Sequence, residues 1–173
     1  MTMQATQTRE TTFADLLASG IQLEAQTQHV YQEFANLFAH CPDVAAFWRA
    51  LAAEEASHKN RLIQIRDGMS RERLARPGDV KMLQAAQRLL AVDLGERLAE
   101  VRDLDDAYEL ANDLESSETN TIFQFFLTEL SQDMHVVSAL MRDLDEHVER
   151  LMAEFPAAYA TRTERLAVKA LRS

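Results

Sequence analysis

Cysteine is almost missing from this sequence: Cys41 is the single one in 173 residues. One thiol excludes an internal disulfide and any four-cysteine zinc or iron site held by one chain. Beside Pro42, Cys41 reads as a loop thiol. Glycine and proline number only four and three, so the residues that punctuate turns and short strands are scarce. Long apolar runs are lacking as well: nowhere do about 18 apolar residues follow one another, and the polar stretch from Met1 to Glu10 has no apolar leader core. No membrane association is expected, and the default location is the cytoplasm. Positive charge is in deficit, with 18 Lys and Arg against 28 Asp and Glu and a net charge of −10. Such a surface repels a phosphate backbone, so nucleic acid is not an expected partner.

Ala, Leu, Glu, Gln and Arg fill the space that glycine and proline leave, which is the composition of long helices. With 47% hydrophobic residues, one domain of this size buries a core without covalent staples. Thr11 or Thr12 can cap a first helix in which Phe13, Leu17, Gly20, Glu24, Thr27, Tyr31, Phe34 and Phe38 recur at steps of three and four. After His40, Cys41 and Pro42, Asp43 is expected to cap a second helix. Its stripe is Val44, Trp48, Leu51, Glu55, His58, Leu62 and Ile65, and it ends at Gly68. Residues 69 to about 103 form a long connection, helical from Val80 to Leu94 and ending near Gly95. A third helix, capped near Asp103 or Asp105, carries Tyr108, Ala111, Glu115, Glu118, Ile122 and Phe125. A fourth runs from about Ser131 with Met134, Val137, Leu140, Leu144, His147, Leu151 and Glu154 on one face, up to Pro156.

The two halves repeat one another. Glu24 precedes His58 by 34 residues and Glu115 precedes His147 by 32, and each histidine is followed four residues later by leucine. Two helical hairpins joined by one long crossover make an all-α, ferritin-like four-helix bundle with the crossover between helices 2 and 3. The bundle is expected over residues 1–156, with 157–173 as a C-terminal tail.

Metal pairs inside such bundles take a glutamate from two helices and Glu-x-x-His from the other two. Residues three apart lie about 60° apart around a helix, so both side chains reach one interior point. Glu55-Ala56-Ser57-His58 has that spacing. Alone it is a weak signal, because 16 glutamates and five histidines produce such pairs by chance. It gains weight from Glu24, Glu115 and His147 on otherwise apolar stripes, because several buried ionisable groups are tolerable only with each other or with a metal. The competing reading is a metal-free bundle with a polar core network. His29, His40 and His135 fall off these stripes and read as non-ligands, and Phe123, Phe125 and Phe126 as core packing.

These residues resemble the rubrerythrin branch of the ferritin-like superfamily. Glu-Ala-Gln-Thr-Gln-His-Val-Tyr from Glu24 to Tyr31 looks like its first helix, Leu51-Ala-Ala-Glu-Glu-Ala-Ser-His58 its second, and Ala107 to Glu118 its third; the likeness covers roughly residues 13 to 152. It implies two iron ions, with manganese as an alternative for the same oxygen-rich ligands. Glu24, Glu55, His58, Glu115 and His147 would be ligands, with Glu118 as the extra third-helix glutamate and Tyr31 beside the metals. The pattern departs at Leu144, where a fourth-helix glutamate should stand three residues before His147; Asp143 is the available substitute. With one cysteine the chain offers no rubredoxin module, so electrons are expected from an external donor.

Three functions follow. Glu118 favours a peroxidase reducing hydrogen peroxide, Leu144 favours a ferroxidase oxidising ferrous iron with oxygen or peroxide, and loss of the centre would leave a helical interaction protein. The resemblance also implies a homodimer. The ending Leu166-Ala-Val-Lys-Ala-Leu-Arg-Ser173 partly resembles the peptides that load cargo into encapsulin shells, with Lys169 and Ala170 departing from that pattern. Three apolar anchors with a basic flank on an acidic body suit docking by coupled ordering.

Overall fold

The computed structural model describes residues 11–129 together with Ser138, Arg142 and Leu151, with side chains through Ser117 and at those three positions. Six helices follow one another over residues 13–129: α1 (Phe13–Leu37), α2 (Pro42–Gly68), α3 (Arg71–Leu74), α4 (Val80–Leu90), α5 (Leu94–Ala99) and α6 (Leu104–Glu129). Among the described residues there is no strand, only one isolated bridge between Thr12 and Pro77.

The helix α1 starts where a reciprocal cap forms. The Asp15 N–H donates to Thr12 Oγ1 (3.3 Å) and the Thr12 N–H donates to Asp15 Oδ2 (2.9 Å), which satisfies two of the backbone donors exposed at any helix start. The helix α2 begins differently from expectation. Cys41 is its N-cap, Pro42 occupies the first turn and no side chain caps it. Proline has no N–H to satisfy and a φ already set for helix, so Asp43 lies inside the first turn, where its charge faces the helix dipole. The connection also breaks in a different place: α4 ends at Leu90, and Leu94 and Gly95 open a new helix. Asp93 is the cause, since its Oδ1 accepts the Glu96 N–H (3.0 Å) and starts α5. Asp103 does the same for α6 through the Asp106 N–H (3.0 Å), as the sequence predicts.

A short turn over residues 38–41 sets α1 and α2 antiparallel: Gly20, early in α1, lies 3.4 Å by its notional Cβ from Leu62 late in α2, while Phe34 and Trp48 meet at the other end with centroids 4.8 Å apart. Two apolar clusters result. Phe13, Leu16, Leu17 and Leu62 form one. Tyr31, Phe34, Trp48, Leu51, Tyr108 and Ala111 anchor the other, which buries Leu151 as well. Ser138, Arg142 and Leu151 are helical and fall in the expected fourth helix; its other positions, Asp143 and His147 included, and the tail 157–173 lie outside the described residues.

The crossover is tied to the start of α1. Phe13 N–H donates to Arg76 O (2.9 Å) and Gly78 N–H to Thr11 O (2.9 Å), after which α4 packs on α1 and α6. Gly78 allows this approach, because a Cβ there would sit 2.8 Å from Thr12 O and 2.9 Å from Leu16 Cδ1. Gly78→Ala should therefore destabilise the fold by about 1–3 kcal/mol, the usual range for overpacking, read as a lowered midpoint in chemical denaturation. An unchanged midpoint would mean that this clamp yields without strain.

Candidate metal centre

Between the two apolar clusters lies a layer of polar side chains. Along α1 it holds Glu24 and Thr27, along α2 Glu55 and His58, and along α6 Glu115. Helical phase places them there: the positions four residues before Glu24 and four after His58 meet at the Gly20–Leu62 contact. Register also separates Glu55, 3% exposed, from its neighbour Glu54, which is partly exposed.

Ligand atoms of Glu24, Glu55 and His58 all lie within 4.8 Å of one another. His58 Nδ1 is 3.4 Å from Glu55 Oε2 and 3.5 Å from Glu24 Oε2. Two carboxylates converging on one imidazole, at 3%, 3% and 9% exposure, leave water too little access to carry their charge, so a cation or a proton must balance them. Oxygen and imidazole donors of this kind suit iron and manganese. Glu115, 7% exposed, lies outside that set of three; its Oε1 accepts a hydrogen bond of 2.5 Å from the Tyr31 hydroxyl, which spans α1 and α6. A metal ligand is commonly oriented by such an outer partner.

His29 and His40 are exposed, in keeping with their reading as non-ligands. The helix α6 carries Glu118, whose side chain lies outside the described residues, as do Asp143, His135 and His147. Two features escaped the sequence. Lys59 Nζ donates to Gln28 Oε1 at 2.6 Å, a strut between α1 and α2, and no periodic signal marks two polar residues on the outer flanks of different helices. Trp48, legible only as a core residue, stacks on Tyr31 with centroids 5.6 Å apart and planes 25° apart. Burial also raises the pKa of the Tyr108 hydroxyl above the ordinary tyrosine value.

Buried carboxylates and an imidazole converging from separate helices of a bundle define the carboxylate metal centres of ferritin-like proteins. The family described as Rubrerythrin matches residues 15–154, more than half of the chain, and the protein belongs to that family. No curated protein and no solved structure matches it. The residues fit a metal site of the kind the family implies: Glu24 on α1 and Glu55 with His58 on α2 form one group that could hold an ion, and Glu115 stands on α6.

Glu55→Ala or His58→Ala should remove most bound metal, measured by elemental analysis after anaerobic reconstitution, while far-UV circular dichroism stays that of the parent. Tyr31→Phe should weaken binding by about 10–100-fold, the usual effect of deleting a ligand's outer partner. Undiminished metal in both of the first two variants would leave a metal-free polar network as the better description.

Proposed function

We propose that the protein is a peroxidase whose metal pair, iron with manganese as the alternative, reduces hydrogen peroxide to water with electrons from an external donor. What carries this reading is the enclosure of the Glu24–Glu55–His58 set beside a buried hydroxyl donor. Bound iron supplies the redox chemistry, each ferrous ion giving up one electron. One hydrogen peroxide takes two electrons and two protons and leaves as two waters.

The chain's own residues supply the rest. Glu24, Glu55 and His58 hold the charge in place, and the apolar clusters on either side keep bulk water out, which strengthens every electrostatic contact within. Tyr31 fixes Glu115 and holds a proton on the bond between them. Between α1, the α4–α5 turn and α6, a cleft of about 80 Å³ is lined by Leu23, Thr27, Leu94, Arg97, Asp113 and Ser117 among others. Its volume is that of two or three water-sized molecules.

Ferroxidase action, with ferrous ions as substrate, is the second reading. Leu144 favours it, because a leucine where the resemblance calls for a glutamate loosens one metal position. Stopped-flow mixing of the reduced protein separates the two: reaction with hydrogen peroxide should outrun reaction with oxygen by at least about tenfold, a barrier difference near 1.4 kcal/mol. A preference for oxygen with accumulating ferric mineral would establish ferroxidase action instead.

A homodimer and docking of residues 166–173 in an encapsulin shell belong to the same proposal, supported by the apolar anchors and basic flank of that ending. Deleting residues 164–173 should leave metal content and thermal midpoint unchanged and abolish co-purification with a co-expressed shell. A truncation that melts the bundle or dissociates a dimer would assign the tail a structural role.

A further inference from the structure

One end of the bundle carries a groove in which the candidate ligands take no part. It opens between α5, the turn that follows it and the first half of α6, and has a volume of about 510 Å³, within the size of ligand sites, about 300–1,000 Å³. Asp106, Glu109 and Asp113 recur at steps of three and four, so one face of α6 forms a wall. The buried part of the lining is apolar: Leu110 is 3% exposed and belongs to the aromatic cluster, against which Val101 also packs. The outer part is charged. Arg97 is paired with Asp113 (3.0 Å) and Arg102 with Asp106 (2.9 Å), and Glu100 and Glu109 add carboxylates beyond these pairs, so the lining keeps an excess of negative charge.

The chain itself comes to this groove. Leu151, 2% exposed, is buried in the same cluster as Leu110, and 22 residues follow it. The last of them hold Arg162, Arg165, Lys169 and Arg172 against Glu164 alone, with Leu166, Val168 and Leu171 between. Fifteen residues separate Leu151 from Leu166, a reach of up to about 50 Å when extended, so distance sets no limit. We propose that residues 162–173 dock in this groove of their own chain, the basic side chains facing the acidic rim and the three apolar ones covering Val101 and Leu110. The inference rests neither on bound metal nor on a shell; a shell would have to take the peptide from this seat.

Charge and apolar pattern match on the two sides. A chain of net charge −10 carries a basic ending, and the groove within its reach is acidic at the rim and apolar beneath. Tethering favours the chain's own peptide over a second copy's, because a short linker holds its concentration at the groove near the millimolar range. A contact too weak to join two molecules therefore still seats a tethered segment. Exposed ion pairs are individually weak and screened by salt, so the peptide leaves the groove without disturbing the bundle. While no other partner is present, the seat keeps Leu166, Val168 and Leu171 from water.

Amide hydrogen exchange of the full-length protein, followed by mass spectrometry, reads the seat directly. At about 0.01 M salt, where charges act over about 30 Å, amides of residues 164–171 should exchange at least about tenfold more slowly than in a free peptide of the same sequence. Raising salt to about 1 M, which cuts that range to about 3 Å, should remove most of the difference. Glu100→Lys combined with Glu109→Lys should abolish the protection while circular dichroism stays that of the parent. Lys169→Glu combined with Arg172→Glu should do the same from the other side. A variant with all four changes should regain protection at residues 168–171, because there the charges are exchanged and not lost. Exchange at the free-peptide rate in the parent, protection that survives the two groove changes, or a fourfold variant that regains none would each overturn the seat. Protection that falls on dilution would overturn it too, by placing the peptide on a second copy.

Discussion

Charged side chains sealed between two apolar clusters impose one requirement on this molecule, which is that their charge be balanced inside the protein. Glu24 and Glu55 converge on His58 with almost no access to water. An uncompensated buried carboxylate is destabilising by several kcal/mol, and mutual attraction within such a set is favourable only when counter-charge and hydrogen bonds are both present. A metal cation meets that requirement for several carboxylates at once. In the metal-free state, proximity of the imidazole is what the chain itself supplies, and the polar layer is conditionally stable as a result.

The rest of the fold keeps that layer in place. Neither apolar cluster spans the bundle: Leu17 and Leu62 pack at one end, Tyr31, Phe34 and Trp48 at the other, and α1 and α2 are clasped on both sides of the charged residues. Leu62 packs over Gly20 at the first end, and the stacked aromatic rings hold the second. Lys59 and Gln28 add a polar strut on the flank. The tie between the start of α1 and residues 76–78 fixes where the crossover begins, so that α4 can lie over α1 and α6. Helices α1, α2 and α6 are thus held against sliding, and a slide of one residue would rotate a ligand by about 100° away from its partners.

Tyr31 joins the two parts of this arrangement. Its ring belongs to the aromatic cluster and its hydroxyl to the polar layer, so one side chain connects packing with ligand orientation. Bonded to a carboxylate on one side and stacked on an indole on the other, Tyr31 is fixed from both ends without opening the site to water.

Much of this was determined by the sequence alone. Periodicity of three and four, with Glu24, Glu55, His58 and Glu115 interrupting apolar stripes, is set by the helix repeat, and the helix repeat does not depend on which helices meet; hence the bundle, the crossover and the buried set were legible along the chain. Local capping was less so, because the start of α2 at Pro42 and the new start at Asp93 turn on which backbone N–H groups find an oxygen, and several nearby aspartates compete for that role. What only the tertiary structure decided are distances between helices: that Tyr31 reaches Glu115 across 84 residues of sequence, that Trp48 lies flat on Tyr31, and that Lys59 meets Gln28. Periodicity assigns each residue a face of its own helix; which residue on another helix shares that space depends on the relative shift and rotation of the two, and packing at glycine and aromatic contacts far from the site sets both.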